Sequence, residues 1–213
     1  MSLNNLALEK MPRTKVILAS QSPRRVELLK QMGVDCDILP ADIDESVLAN
    51  EPPETYVLRL AKQKAQAARR LVQQKSNELQ KPSELQPLPI IAADTTVVLN
   101  DEILGKPEDD ADATRMLTLL SGATHLVLTA VAIEFQGQTE VKLSSTQVAM
   151  MPLTSAQISN YLALGEHRGK AGSYGIQGLA AAWIKEIHGS YSGVMGLPIY
   201  ETACLLRKYT SFL

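Results

Sequence analysis

Two short stretches gather hydroxyl and charged side chains at places where a strand meets a turn. The first is Ser20-Gln21-Ser22-Pro23-Arg24-Arg25. Ser22 stands as N-cap and Pro23 opens a helix, so Arg24 and Arg25 fall in its first turn. Cations there oppose the helix dipole at about 0.3–1 kcal/mol each when exposed. A bound anion reverses that sign, because helix amides, two hydroxyls and two guanidinium groups together make a phosphate site. Without an anion, Ser22 only caps and both arginines are solvated; their clustering favours the phosphate. The second stretch is Ile90-Ile91-Ala92-Ala93-Asp94-Thr95. Here an apolar strand delivers Asp94 at its C-terminal end, where α/β sheets place ligands. Alone, Asp94 reads as a turn former. Beside an arginine-rich phosphate site it becomes a candidate metal ligand or general base.

Other residues gain meaning only next to these two. Gly105-Lys106-Pro107 is not a phosphate-binding P-loop, since Asn100 stands where the earlier glycine belongs and Pro107 where Ser or Thr belongs. Lys106 is either a point charge for phosphate or a solvated loop lysine. Lys64 lies inside a helical apolar stripe, so it either snorkels to the edge or lines the anion site. Gly172, Gly175 and Gly178 recur around Tyr174, Ile176 and Gln177. They let backbone approach a ligand or close a tight loop. Gln177 offers a donor and an acceptor that suit a nucleobase edge. Asp42, Asp44 and Glu45 suit Mg²⁺ or a solvated loop equally. His125, His167 and His188 have no metal or triad spacing. Ser190 and Ser192 lack the Gly-x-Ser-x-Gly pattern of a hydrolase nucleophile.

The elements that must position these groups mix strands and helices throughout. Strands are expected at Val16–Ala19, Cys36–Leu39, Ile90–Ala93, Thr96–Leu99 and Ile103–Leu104, with a turn at Asn100-Asp101. A long hairpin joins 125–135 to 139–150, and 181–187 reads as a strand. Helices are expected over 22–32, 53–74, 108–120, 154–164 and 197–208. This pattern predicts a mixed sheet with helices on its faces. The Gln- and Pro-rich stretch 73–89 reads as a surface loop, and residues 1–14 as an extension before a single domain over 15–213.

Composition limits the partners. The chain has 213 residues with net charge -2, and only 4% aromatic residues. A polymeric nucleic acid is therefore not the expected ligand. Cys36 and Cys204 match no zinc spacing. The first residues lack the apolar region of a signal peptide, and no run reaches the ~20 apolar residues that span a bilayer. A cytoplasmic protein without membrane attachment is expected.

The sequence resembles the Maf family of nucleoside triphosphate pyrophosphatases from about Lys15 to Leu206. The resemblance rests on Leu18-Ala19-Ser20-Gln21-Ser22-Pro23-Arg24-Arg25 with Glu27-Leu28-Leu29, on Ala93-Asp94-Thr95, and on Gly105-Lys106-Pro107. It extends to Leu120-Ser121-Gly122 with His125, to 170–178, and to Gly189-Ser190-Tyr191-Ser192 before Gly196-Leu197-Pro198. It implies an elongated mixed β-sheet flanked by helices around a central nucleotide-binding cleft, similar to inosine triphosphate pyrophosphatases, and a homodimer. It also implies hydrolysis of a nucleotide to monophosphate and pyrophosphate with Mg²⁺ or Mn²⁺. By motif match, Asp94 is the catalytic acid-base residue and, with Glu45, a metal ligand. Ser20, Arg25, Lys64 and Lys106 match, with Glu45, positions implicated in phosphate or metal handling, and Ser22 and Lys170 add a hydroxyl and a cation suited to the same phosphates. Arg24, Thr95 and Gln177 match positions that separate subfamilies, and here look like the dTTP/UTP group. Gly169 departs from the Asp that many members carry. A pyrophosphatase for another nucleotide, such as 7-methyl-GTP or inosine triphosphate, or a nucleotide-binding regulator of cell division, is the alternative.

Overall fold

The computed structural model describes residues 14–78 and 88–212. The remainder of the expected N-terminal extension and the stretch 79–87 lie outside the described residues. Among those described, one seven-stranded sheet carries the chain in the order β2-β1-β3-β5-β6-β7, with β4 paired to β3. Strands β1 (Thr14–Leu18) and β2 (Val34–Ile38) are parallel, joined across α1 (Pro23–Gln31). The long α2 (Pro53–Glu78) leads to β3 (Ile90–Leu99), which lies parallel to β1. From there the sheet turns antiparallel through β4 (Glu102–Leu104), α3 (Asp110–Leu120), β5 (Thr124–Phe135) and β6 (Gln138–Met150). Helix α4 (Ser155–Ala163), β7 (Ile184–His188), α5 (Tyr191–Met195) and α6 (Ile199–Tyr209) complete it.

Each face of the sheet buries an apolar stripe. On one face, Val57, Leu60, Ala61, Ala65, Ala68 and Val72 of α2 meet Ile90, Ala92, Leu128, Ala130 and Ala132. Their spacing is that of a helix side laid on alternate strand residues. The other face carries two separate clusters. Leu28 and Leu29 of α1 pack with Ala93, Val131, Leu205 and Leu206. Met116 and Leu117 of α3 pack with Val97, Val127, Ile158 and Tyr161. Between those clusters runs a polar row, Thr95, Thr129 and Ser144, adjacent in register across β3, β5 and β6.

Four elements differ from the sequence reading. Ile90–Leu99 is one strand, because β5 pairs with it from Ile90 through Val98 and holds Asp94-Thr95 in the ladder. Asp94 is therefore in mid-strand and not at a strand end. Helix α2 continues to Glu78, since Gln, Lys and Glu are good helix formers that need no burial. Residues Leu179–Trp183 form a 3₁₀ turn before β7, in keeping with the weak strand preference of three successive alanines. Helix α5 was not anticipated at all.

Candidate active site

A gap in strand pairing makes the cleft. Along one edge β3 is covered by β5, but along the other β1 reaches only Ile90 and Ile91, and β4 only Val97 to Leu99. Strand β1 stops at Leu18 and the chain turns through Ser20 into α1. Residues 92–96 of β3 thus have no strand on that side, and a cleft of about 880 Å³ opens there. Ser20, Ser22, Arg24, Arg25, Glu45, Lys64, Asp94, Thr95, Lys106 and Lys170 all line it. Gln177 does not; it is exposed, one residue beyond the lining Ile176. Val127, Tyr174, Val194 and Met195 give the cleft an apolar wall.

Successive side chains of β3 point to opposite faces. Asp94 faces α2, where the buried Lys64 meets it: Nζ lies 2.6 Å from Asp94 Oδ1 and 2.8 Å from Glu45 Oε1. Lys64 does not snorkel, because these two carboxylates satisfy its ammonium inside the stripe. Lys106 Nζ is 3.1 Å from Glu45 Oε2. Burial alone would raise the Glu45 pKa, but the Lys64 and Lys106 ammoniums outweigh it and hold the carboxyl below its ordinary value. Tyr56 donates to the Glu45 carbonyl at 2.9 Å and fixes the loop. Burial, then the charges of Asp94 and Glu45, push that phenol up to about 12. Of the other acidic loop residues, Asp42 lines the cleft, whereas Asp44 is exposed and accepts from the Ser46 amide.

Thr95 faces the opposite side, toward α1 and α5. Arg25 is held at three points: Nε donates to Gly196 O at 2.8 Å, Nη1 to Ser20 Oγ at 3.0 Å and Nη2 to Thr95 Oγ1 at 3.4 Å. Arg24 Nε donates to Met195 O at 3.3 Å. Those carbonyls close the C-terminal end of α5, so the arginines that oppose the dipole of α1 satisfy the end of another helix. Burial lowers both guanidinium pKa values, and for Arg25 the charge of Asp94 counters it. Both remain cationic at neutral pH. Ser22 occupies the N-cap position, but its side chain makes no capping bond; its amide donates to Ser20 Oγ at 3.2 Å.

Lys170 donates to the Glu166 carbonyl, and burial followed by the Arg24 charge lowers its pKa. The glycines nearby accommodate protein atoms: a Cβ at Gly172 would lie 2.7 Å from Val97, and one at Gly175 2.7 Å from Lys170 Cε. Ser190 caps α5, accepting from the Gly193 amide, and Ser192 accepts from the Ile199 amide at the start of α6. The buried His125 meets the Tyr174 hydroxyl at 2.8 Å.

Sequence reasoning missed the support behind Thr95. Thr129 is fully buried, 3.0 Å from Thr95 Oγ1 and 2.8 Å from Gly193 O. A Cβ at Gly193 would come within 3.2 Å of Ser144 Oγ, so α5 sits close upon the polar row. A single Thr within the apolar run Val127–Ile133 was the available signal. Arg168, which also lines the cleft, was likewise missed. No group of three His, Cys, Asp or Glu side chains among the described residues forms a self-sufficient metal site. Glu45 and Asp94 supply two hard carboxylates already sharing one cation, a donor set that fits a divalent ion completed by phosphate oxygens and water.

Comparison with known proteins agrees over nearly the whole chain. The family model described as Maf-like protein matches residues 15–209. A dTTP/UTP pyrophosphatase of Methylobacillus flagellatus is 50% identical over 195 residues, covering 92% of each chain. One from a Polaromonas species is 51% identical, covering 90% of this chain and 94% of its own. Among solved structures, the Staphylococcus aureus Ham1 protein aligns with 64% of this chain and 72% of its own. That alignment has 14% identity and a TM-score of 0.43, a partial likeness only.

Proposed function

The chain belongs to the family of Maf-like proteins, and from that membership we propose that it is a pyrophosphatase of dTTP and UTP. It hydrolyses the bond between the α- and β-phosphates, giving the nucleoside monophosphate and pyrophosphate. The observation that carries the reading is the sharing of the Lys64 ammonium by Glu45 and Asp94 in the same cleft as Arg24 and Arg25. Relatives at about half identity bear the same activity in their names.

In this reading Asp94 is the general base that takes a proton from the attacking water. Lys64 holds that carboxylate in place. Arg24, Arg25, Lys106 and Lys170, with the hydroxyls of Ser20 and Ser22, receive the phosphate oxygens and the charge that grows on departing pyrophosphate. Such chemistry asks for positioning and charge stabilisation, without a protein nucleophile. Glu45 and Asp94 would hold a divalent cation, Mg²⁺ or Mn²⁺, which when bound polarises the α-phosphoryl group and acidifies water. Thr95 and Gln177 belong with the base; Gln177 would have to turn in from its exposed position.

The protein acts as a cytoplasmic homodimer in this proposal. The free Cys36 and Cys204 suit a reducing compartment. No helix among the described residues is long and apolar enough to cross a membrane. The exposed Ile38, Val47, Leu48 and Tyr200 offer apolar surface to a second copy. Sedimentation at twice 23.2 kDa is the check on the dimer.

A panel of nucleoside triphosphates with Mg²⁺ or Mn²⁺ tests the substrate. UTP and dTTP should be turned over in preference to CTP, ATP and GTP. Preference for a purine triphosphate would reject the substrate while leaving the reaction class standing.

A further inference from the structure

Glu45 reaches the cleft from residues 39–48, a segment between β2 and α2 with no regular secondary structure. Up to Glu45 the segment is held by packing. Leu39, Ala41 and Ile43 lie partly buried against the core cluster of α2, and Glu45 continues their alternation. Beyond it, Ser46 to Asn50 are all exposed, so burial within the chain does not hold Glu45 from that side. Polar contacts from the first turns of α2 do so instead. Arg59 Nε donates to Glu51 Oε1 at 2.6 Å, and Nη2 to Glu51 Oε2 at 2.7 Å. Nη2 also donates to the Ser46 carbonyl at 2.9 Å. Glu51 Oε2 in turn accepts from the Leu48 amide at 3.1 Å. The guanidinium stands 5.5 Å from the centre of the Tyr56 ring, whose hydroxyl donates to the Glu45 carbonyl. Two successive carbonyls, those of Glu45 and Ser46, are thus pinned to the helix that also carries Lys64. The Glu51 side chain is only 4% exposed, and the two-pronged contact with Arg59 balances its charge.

We propose that Arg59 is a positioning residue for the divalent cation: its fork, seated on Glu51 and the Ser46 carbonyl, sets the backbone from which Glu45 presents its carboxylate. This rests on the reading above that Glu45 and Asp94 hold the cation. Arg59 itself is not among the side chains that line the cleft. A group that orients a metal ligand typically carries about 10–100-fold in metal affinity. Charge alone predicts the opposite sign for the loss of Arg59. Removing that cation and leaving Glu51 unbalanced makes the region more negative, which draws a divalent ion in more tightly. Weaker metal binding without Arg59 therefore reports lost position and not lost charge.

The test titrates Mn²⁺ into the full-length protein with a non-hydrolysable α,β-methylene analogue of UTP and reads bound ion from water-proton relaxation. Arg59→Ala should raise the Mn²⁺ dissociation constant at least about tenfold. The Mn²⁺ needed for half-maximal UTP hydrolysis should rise in step, while kcat at saturating Mn²⁺ stays within about threefold of the wild type. Arg59→Lys keeps the charge and loses the fork, so it should shift the constant in the same direction. It gives the same reading should the alanine variant fold poorly. Unchanged or tighter Mn²⁺ binding in a folded Arg59 variant, or a loss of kcat that excess Mn²⁺ does not restore, would overturn the proposal. Glu45→Gln separates that outcome from the reading beneath it, and should weaken Mn²⁺ binding at least as much as Arg59→Ala does. Wild-type affinity in Glu45→Gln would remove the cation from Glu45 and overturn its placement and the proposal together.

Discussion

At Lys64 one ammonium serves two carboxylates, so removing either acid alters both sides of the site. Asp94→Asn keeps the shape of the side chain and an oxygen for Lys64, but removes the charge and the basicity. Steady-state turnover of UTP should drop by at least ~10²-fold, with unchanged circular dichroism. Near-normal turnover would transfer the role of base elsewhere, Glu45 first. Arg25→Ala should impair every nucleotide alike, because phosphates are common to all of them; a defect confined to one base, seen in a kinetic panel, would contradict its placement. The charged residues of this site were legible in the sequence because like charges in the first turn of a helix, and a lysine inside an apolar stripe, are costly without a partner. Thr129 and the carbonyls of Met195 and Gly196 were not. A threonine in a strand is ordinary, and a backbone carbonyl has no signature in sequence.

Strand β5 buries His125 against Tyr174, and that burial lowers the imidazole pKa from 6.5 to about 4. The folded protein therefore favours the neutral ring, and the unfolded chain binds the extra proton between those two values. Stability from this group is complete above about pH 6.5 and declines as pH falls toward 4. By pH 5 the loss should reach about 2 kcal/mol. Urea midpoints at pH 7 and pH 5 should draw the wild type closer to His125→Phe, whose stability lacks this titration. Curves that run parallel would show that His125 titrates normally. Most helices and the long hairpin followed from periodicity and turn residues. The division of Ile90–Leu99 into two strands did not survive, because a polar Asp-Thr pair interrupts the apolar pattern while the β5 ladder supplies the hydrogen bonds that pattern could not reveal. Helix α5 escaped notice because five residues make too short a window for helical periodicity.

Over the whole molecule, the sheet brings together side chains separated by up to 150 residues in sequence: Ser20 and Arg25 after β1, Glu45 before α2, Asp94 within β3, and Lys170 beyond α4. Mixed α/β architecture could be read from alternating elements, but the site depends on where β1 stops short of β3, a tertiary detail that no local pattern encodes. Six cationic side chains against three carboxylates line the cleft, so a polyphosphate is drawn into it although the chain as a whole carries net charge -2. The most direct test of pyrophosphatase action is hydrolysis of UTP in water enriched in oxygen-18, with the products resolved by mass spectrometry. Attack at the α-phosphorus predicts one heavy oxygen in UMP and none in pyrophosphate. UDP with labelled orthophosphate, or UMP with label confined to pyrophosphate, would contradict it.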